Sequence, residues 1–135
     1  MLEKLLYSIA MTIRKATAND FSSIQQLIKQ FPDKLLQENL PQPEEFTVAE
    51  ENDRIVGCCA LEIYSKRLAE IRSLAVAPEF QGQGIATKLV ETCLQEAKDK
   101  QIYEVLTITG SSPLFEKQGF GTFNNEKYAL LKILG

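Results

Sequence analysis

The hydrophobic positions along this chain recur at two spacings, one typical of helices and one typical of strands. Between residues 85 and 100 the helical spacing is regular and predicts one long amphipathic helix. Its apolar positions are Leu89, Val90, Cys93, Leu94 and Ala97. The same spacing predicts an earlier helix over 21–28, capped by Asn19 or Asp20, and a second short helix over 33–40.

Strand-like runs fill most of the remaining chain. They lie at 12–16, 46–50, 54–64, 70–76, 103–109 and 128–134. The Asn52-Asp53 pair predicts a hairpin between the second and third runs. Ser112-Pro113 is typical of a helix start, and Gly119 of its end. The order predicts an α+β (mixed α/β) fold: one domain around a single, mostly antiparallel sheet that is flanked by helices.

The run over 70–76 breaks the strand alternation. Ile71 falls on one side of a strict alternation, whereas Leu74 and Val76 fall on the other. A bulge near Arg72-Ser73 would bring the three onto compatible faces and splay the strand from its neighbour. The alternative is a central strand that is buried on both faces.

Composition and charge narrow the function classes. The 135 residues are 44% hydrophobic and 24% charged, which is typical of one soluble globular domain. A net charge of -3 disfavours nucleic acid as a partner. The chain has no histidine, which excludes a histidine base, and its three cysteines form no zinc or disulfide pattern. We therefore predict a reduced, cytoplasmic protein without a metal.

Residues 1–10 read as an N-terminal extension, with either Met1 or Met11 as the natural start. The apolar patch over 5–9 is too short to span a bilayer, so no membrane partner is expected.

The strongest functional signal lies at residues 77–88, Ala-Pro-Glu-Phe-Gln-Gly-Gln-Gly-Ile-Ala-Thr-Lys, between a strand and a helix. Gly82 and Gly84 let main-chain N–H groups converge without a Cβ atom in the way. The helix start adds unpaired N–H groups and the positive end of its dipole. Together they predict a phosphate site. A dinucleotide fingerprint needs glycine where Thr87 stands, and no glycine here precedes lysine as a Walker loop requires.

Gln81-x-x-Gly84-x-Ala86 and its flanks closely resemble the acyl-CoA pyrophosphate loop of GCN5-related N-acetyltransferases (GNATs). The run over 114–120, Leu-Phe-Glu-Lys-Gln-Gly-Phe, is similar to the second signature of that superfamily. Within that superfamily, the segments over 70–76 and 106–120 look most like those of acetylglutamate-synthase-type acetyltransferase domains. The resemblance covers roughly 11–134, and implies an N-acetyltransferase domain over 11–135 with a sheet splayed at the cofactor strand pair.

The resemblance also implies acetyl-CoA as co-substrate, held in a cleft between the strands at 70–76 and 103–109. The implied cofactor-binding residues are Leu74, Ala75, Val76, Gln81, Gly82, Gln83, Gly84, Ile85, Ala86, Thr87 and Phe115. Many members have a tyrosine where Phe115 stands, and phenylalanine donates no proton. The leaving thiolate then takes its proton from Ser111, Ser112 or a water molecule, or it leaves unassisted; the sequence does not decide between these alternatives.

Without histidine, the base that deprotonates the acceptor amine must be a carboxylate or bulk solvent. Glu70 is the main catalytic candidate, and Glu62 and Glu50 are weaker ones. Arg72 is the predicted substrate-binding residue, suited to a carboxylate-bearing acceptor; alternatively it only pairs with Glu70.

The predicted function is acetyl transfer to the amine of a small molecule or amino acid. The alternatives are a non-catalytic acetyl-CoA-binding module and a protein N-terminal or lysine acetyltransferase. Dimers are common in the superfamily, so a homodimer is possible.

Overall fold

A computed structural model of the protein describes residues 11–122 and 130–135. Its five strands are β1 (Met11–Lys15), β2 (Phe46–Glu51), β3 (Arg54–Ile63), β4 (Leu68–Val76) and β5 (Glu104–Thr107). Its three α-helices are α1 (Phe21–Ile28), α2 (Ile85–Asp99) and α3 (Ser112–Glu116).

The strands form one sheet in chain order. The pairs β1–β2, β2–β3 and β3–β4 are antiparallel, and β5 lies parallel to β4. The predicted α+β fold with one mostly antiparallel sheet is therefore confirmed. The predicted extension over 1–10 lies outside the described residues. So does part of the strand expected over 128–134, and residues 130–134 have no regular secondary structure.

Both faces of the sheet are buried because each is covered by a helix. The α1 face is the side where α1 packs, and its buried side chains include Ile24, Leu27, Ile28, Val48, Cys58, Ala60 and Ala75. The α2 face is the opposite side, and its buried side chains include Ala49, Val56, Cys59, Leu61, Leu89, Val90 and Cys93. Val48 and Ala49, like Cys58 and Cys59, are neighbours that project to opposite faces, as strand geometry requires.

The predicted hairpin between β2 and β3 is confirmed. Asn52 and Asp53 have φ angles of 48° and 63°, the left-handed conformation that a tight two-residue hairpin turn requires.

The short helix predicted over 33–40 is wrong, because this segment forms turns. The Gln37 side chain donates to the carbonyl oxygens of Ile28, Phe31 and Leu35 at 3.0–3.3 Å, which satisfies these groups without a helix. Leu36 is 73% exposed, so the segment has no continuous apolar stripe to bury.

Arg14 on β1 fixes the start of α1. Its guanidinium donates to Asp20 at 2.8 Å and to Glu50 at 3.1 Å. The Asp20 carboxylate also accepts from the Thr17 N–H at 2.7 Å, so it caps the turn before α1. The hydrogen bond from Arg14 lowers the pKa of Asp20 to about 2.

The bulge predicted in β4 is confirmed. Ala60 lies opposite Arg72 whereas Cys58 lies opposite Ala75, so two β4 residues face a single β3 residue between these pairs. One of the two, Ser73, has a φ angle of 55°.

The bulge changes both the packing and the edge of β4. Ile71 and Val76, five positions apart, both pack on the α2 face. Pairing with β5 ends at Ile71 and Thr107, where the Thr107 hydroxyl donates to the Ile71 carbonyl oxygen at 3.1 Å. Beyond this point β5 does not pair with β4, so the predicted splay is confirmed.

Candidate active site

The loop before α2 has the geometry expected of an anion-binding turn. Gly82 and Gly84 have φ angles of 80° and 83°, a conformation that other residues rarely adopt. A Cβ atom built on either glycine meets no heavy atom within 4 Å, so the space beside the loop is open. Gly84 is also the N-cap of α2, whose first N–H groups are unpaired at this end.

Gln81 joins this loop to the end of β4. Its side-chain amide donates to the Val76 carbonyl oxygen at 3.0 Å. The Ala77 N–H donates to the Val56 carbonyl oxygen at 2.8 Å, and Val76 lies opposite Gly57. Because main-chain groups alternate in direction along a strand, the N–H and C=O of Val76 point away from β3, toward the open edge.

The remaining loop residues predicted for the cofactor differ in exposure. Gln83 is exposed, and Ala86 and Thr87 are half-buried in the first turn of α2. The Ile85 side chain is 6% exposed within the core of the α2 face, so only its main chain faces the loop.

A cleft of about 240 Å³ lies where β4 has lost its partner. It is lined by Phe31, Lys34, Leu35, Leu74, Ala75, Val76, Gln81, Ala86 and Ser111. The structure thus brings together five of the residues predicted for the cofactor. Sequence reasoning missed Phe31, Lys34 and Leu35, because Phe31-Pro32 signalled only the end of α1.

Phe115 is not among the described residues that line the cleft. Its ring is 5% exposed and packs edge to face on Phe120, with the ring centroids 5.4 Å apart. Ser111 does line the cleft and remains available as a proton donor.

A larger and more open groove of about 770 Å³ runs between Lys15 and the outer side of α2. Glu96 crosses part of it, accepting from Lys15 at 3.0 Å and from Lys100 at 2.9 Å. Its lining includes no residue of the bulge or of the glycine loop, so we assign it no role in the reaction.

The candidate base, Glu70, lies in a charged cluster before the bulge. This charged cluster consists of Glu45, Glu62, Glu70 and Arg72. Glu70 on β4 lies opposite Glu62 on β3. The Tyr64 hydroxyl makes a short hydrogen bond to the Glu70 carboxylate. Burial of the hydroxyl and this hydrogen bond raise the pKa of Tyr64 well above its usual range, so the hydroxyl acts as a donor.

One predicted alternative was an ion pair between Arg72 and Glu70, and this alternative is wrong because Arg72 pairs with Glu62. Its guanidinium makes a short ion pair with Glu62 and donates to the Asn39 carbonyl oxygen at 3.0 Å. Burial alone lowers the pKa of Arg72, but the hydrogen bond and charge of Glu62 outweigh it, and the net shift is upward. Glu50, the other weaker candidate for the base, lies on β2. It accepts a hydrogen bond from Arg14 on β1, the strand at the edge of the sheet.

Cys58 and Cys59 are both buried, in agreement with their assignment as core residues. Burial raises the pKa of the Cys58 thiol to about 12, so it stays protonated at neutral pH. Within residues 11–122 and 130–135, no group of three or more His, Cys, Asp or Glu side chains is arranged to hold a metal ion. In the same residues no helix has the length and apolar character needed to cross a membrane.

Residues 11–120 match the model of the acetyltransferase (GNAT) family. The chain belongs to this family. The family's acetyltransferase reaction class therefore applies to the chain, and the predicted superfamily is confirmed.

Named relatives fit the same family. The chain is 37% identical over 116 residues to an amino-acid acetyltransferase of Mycobacterium tuberculosis, covering 80% of this chain and 67% of the relative. An uncharacterized N-acetyltransferase of Chlorobaculum tepidum is 37% identical over 84 residues, and 54% of its length is covered. The Buchnera aphidicola amino-acid acetyltransferase is 26% identical, and the chain spans only 28% of it.

Solved structures agree with the fold. Rv2747 from Mycobacterium tuberculosis, solved in complex with CoA, has a TM-score of 0.77 and 35% identity, and the match covers 83% of this chain and 72% of that one. The N-acetylglutamate synthase of Neisseria gonorrhoeae, complexed with coenzyme A and N-acetyl-glutamate, has a TM-score of 0.74 and 25% identity, with 87% of this chain and 30% of that chain covered. The predicted likeness to acetylglutamate-synthase-type domains is therefore confirmed.

Proposed function

We propose that this chain transfers the acetyl group of acetyl-CoA to the amine of a small molecule or amino acid. The observation that carries the proposal is the open edge of β4, flanked by the glycine loop on one side and by the Glu70 cluster on the other. The relatives named amino-acid acetyltransferase support an amino acid as acceptor.

The residues present suit acetyl-CoA. The glycine loop and the first turn of α2 offer N–H groups to its pyrophosphate. The main chain of Leu74 and Val76 offers pairing groups to its amides, as an added strand would use them. Acetyl-CoA supplies the thioester carbonyl that the reaction needs.

In the proposed reaction the acceptor nitrogen bonds to the acetyl carbon, the carbon–sulfur bond breaks, and the sulfur leaves with its electron pair. Glu70 takes the amine proton, directly or through water. The Val76 N–H is the candidate donor to the carbonyl oxygen as negative charge develops there. The Ser111 hydroxyl is the candidate proton donor to the leaving sulfur. Holding both reactants in one cleft supplies much of the rate.

A coupled thiol-release assay over neutral, basic and acidic amino acids, simple amines and a peptide with a free N-terminus tests this proposal. We expect turnover with at least one small acceptor and a rise in Tm on addition of acetyl-CoA. A rise in Tm without turnover on any acceptor would favour the non-catalytic binding module. Turnover on the peptide alone would favour a protein acetyltransferase, a class that includes a Schizosaccharomyces pombe relative named N-alpha-acetyltransferase 30. The homodimer and the cytoplasmic location stay predictions.

A further inference from the structure

The charged cluster before the bulge lies beside the cleft. Arg72 is opposite Ala60, which packs on the α1 face, so Arg72 projects to that face. The segment over 31–40 covers the same face: Asn39 accepts from Arg72, and Lys34 lines the cleft. The cluster and the cleft therefore lie under one covering segment.

The guanidinium of Arg72 is already engaged. One terminal nitrogen donates to Glu62 and the other to the Asn39 carbonyl oxygen. The Arg72 and Glu62 side chains are only 19% and 27% exposed, so water screens this ion pair less than it screens a surface pair. A substrate carboxylate that approached Arg72 would meet a guanidinium whose charge Glu62 already balances, and it would be repelled by Glu62 itself.

The surroundings of this ion pair are negative. Glu70 lies opposite Glu62 across the strand pair, and Glu45 lies close to both members of the ion pair. Glu45 Oε2 is shielded from solvent and has no hydrogen-bond partner among the described residues. Burial first, and then the negative charge of Glu62, raise the pKa of Glu45. Three carboxylates thus lie near one guanidinium, and one of them, Glu62, is in contact with it.

We propose that Glu62 determines acceptor specificity, by holding Arg72 in an ion pair so that the site takes amino acids with neutral or cationic side chains and rejects dicarboxylic amino acids. The inference rests on the proposed function, because it concerns the acceptor side of the same cleft. A second negative charge on the acceptor meets repulsion from Glu62 and Glu70, while Arg72, the cation that the described residues place in the cluster, is already paired with Glu62. Lys34 is the next cation, and it lies in the cleft rather than in the cluster.

Glutamine and glutamate test this inference, because they have nearly the same shape and differ by one charge. In the thiol-release assay we expect the kcat/KM of the wild-type protein to be at least about tenfold higher for glutamine than for glutamate, with arginine also preferred over glutamate. Glu62→Gln keeps the side-chain shape, removes one negative charge and releases Arg72. This variant should lower the glutamine-to-glutamate ratio at least about fivefold, mainly through faster turnover of glutamate.

The matched control is Glu104→Gln. It breaks the exposed Arg67–Glu104 ion pair at 2.8 Å, on the strand beyond β4, and should leave the ratio unchanged. A wild-type preference for glutamate would overturn the inference, and so would a ratio that Glu62→Gln does not move. The wild-type ranking needs no variant, so a preference for glutamate overturns the inference even if Glu62→Gln does not fold. Absence of turnover on every acceptor would instead refute the proposed function.

Discussion

Replacing Gly84 by alanine tests whether the glycine loop binds phosphate. The Tm of the variant reports the backbone strain, and its Kd for acetyl-CoA reports the loss of binding. Gly84 has a φ angle of 83°. A left-handed conformation costs a residue with a Cβ atom about 1–2 kcal/mol. The new Cβ meets no heavy atom within 4 Å, so no clash adds to this cost. For a domain of 135 residues the loss corresponds to a fall in Tm of about 4–7 °C.

The effect on acetyl-CoA affinity should be larger than the strain alone explains. The Cβ would project into the open space that we assign to the pyrophosphate. Losing one hydrogen bond to a charged group costs about 1.5–3 kcal/mol, which is roughly a 10- to 150-fold rise in Kd. Isothermal titration calorimetry of acetyl-CoA binding, with Tm measured on the same preparations, gives both quantities.

Gly119→Ala is the matched control. Gly119 has a φ angle of 92°, and a Cβ there also meets nothing within 4 Å. It lies just after α3, outside the glycine loop. It should lose as much Tm as Gly84→Ala and keep the wild-type Kd. Equal Kd values for the two variants would refute the assignment of the loop to phosphate.

Three further variants test the catalytic, electrostatic and packing arguments. Glu70→Gln should lower kcat about a hundredfold or more and leave the Kd for acetyl-CoA unchanged, because it removes the general base but no contact with the cofactor. An unchanged kcat would show that Glu70 is not the base. Asp20→Asn removes the carboxylate held by Arg14 and should cost about 1–2 kcal/mol at neutral pH. Because the folded pKa of Asp20 is depressed to about 2, urea denaturation should show this difference shrinking as the pH falls from about 4 to about 2, and a constant difference would contradict the argument. In Gly57→Ala the new Cβ would lie 3.0 Å from the Leu89 side chain on α2, so Leu89 or α2 itself must shift. We expect the free energy of unfolding to fall by about 1–3 kcal/mol and acetyl-CoA to bind more weakly. Wild-type values in thermal denaturation and calorimetric titration would show instead that α2 tolerates the shift.

The elements with strong local signals were predictable from the sequence. The 85–100 pattern predicted α2 closely, and the parity conflict between Ile71 and Val76 predicted the bulge in β4. Both signals come from side-chain periodicity, which burial on one face enforces. The glycine loop was predictable because its two positive φ angles need glycine.

Features that depend on tertiary contacts were not predictable. The cleft wall formed by Phe31, Lys34 and Leu35 follows from where the segment after α1 folds back, and no periodic signal marks that path. The partner of Arg72 was not predicted either, because strand spacing places Glu70 on its side of β4, whereas Glu62 comes from the neighbouring strand β3. The chain packing around Asn39 then fixes one guanidinium geometry, and Glu62 takes the ion pair.

Amide chemical-shift mapping of acetyl-CoA binding tests the central claim most directly. In a titration followed by ¹H–¹⁵N NMR, we predict the largest shifts at the N–H groups of Leu74, Val76 and residues 82–86. We predict small shifts along the groove between Lys15 and the outer side of α2. Saturable shifts confined to that groove, with the open edge of β4 and the glycine loop unmoved, would contradict the account.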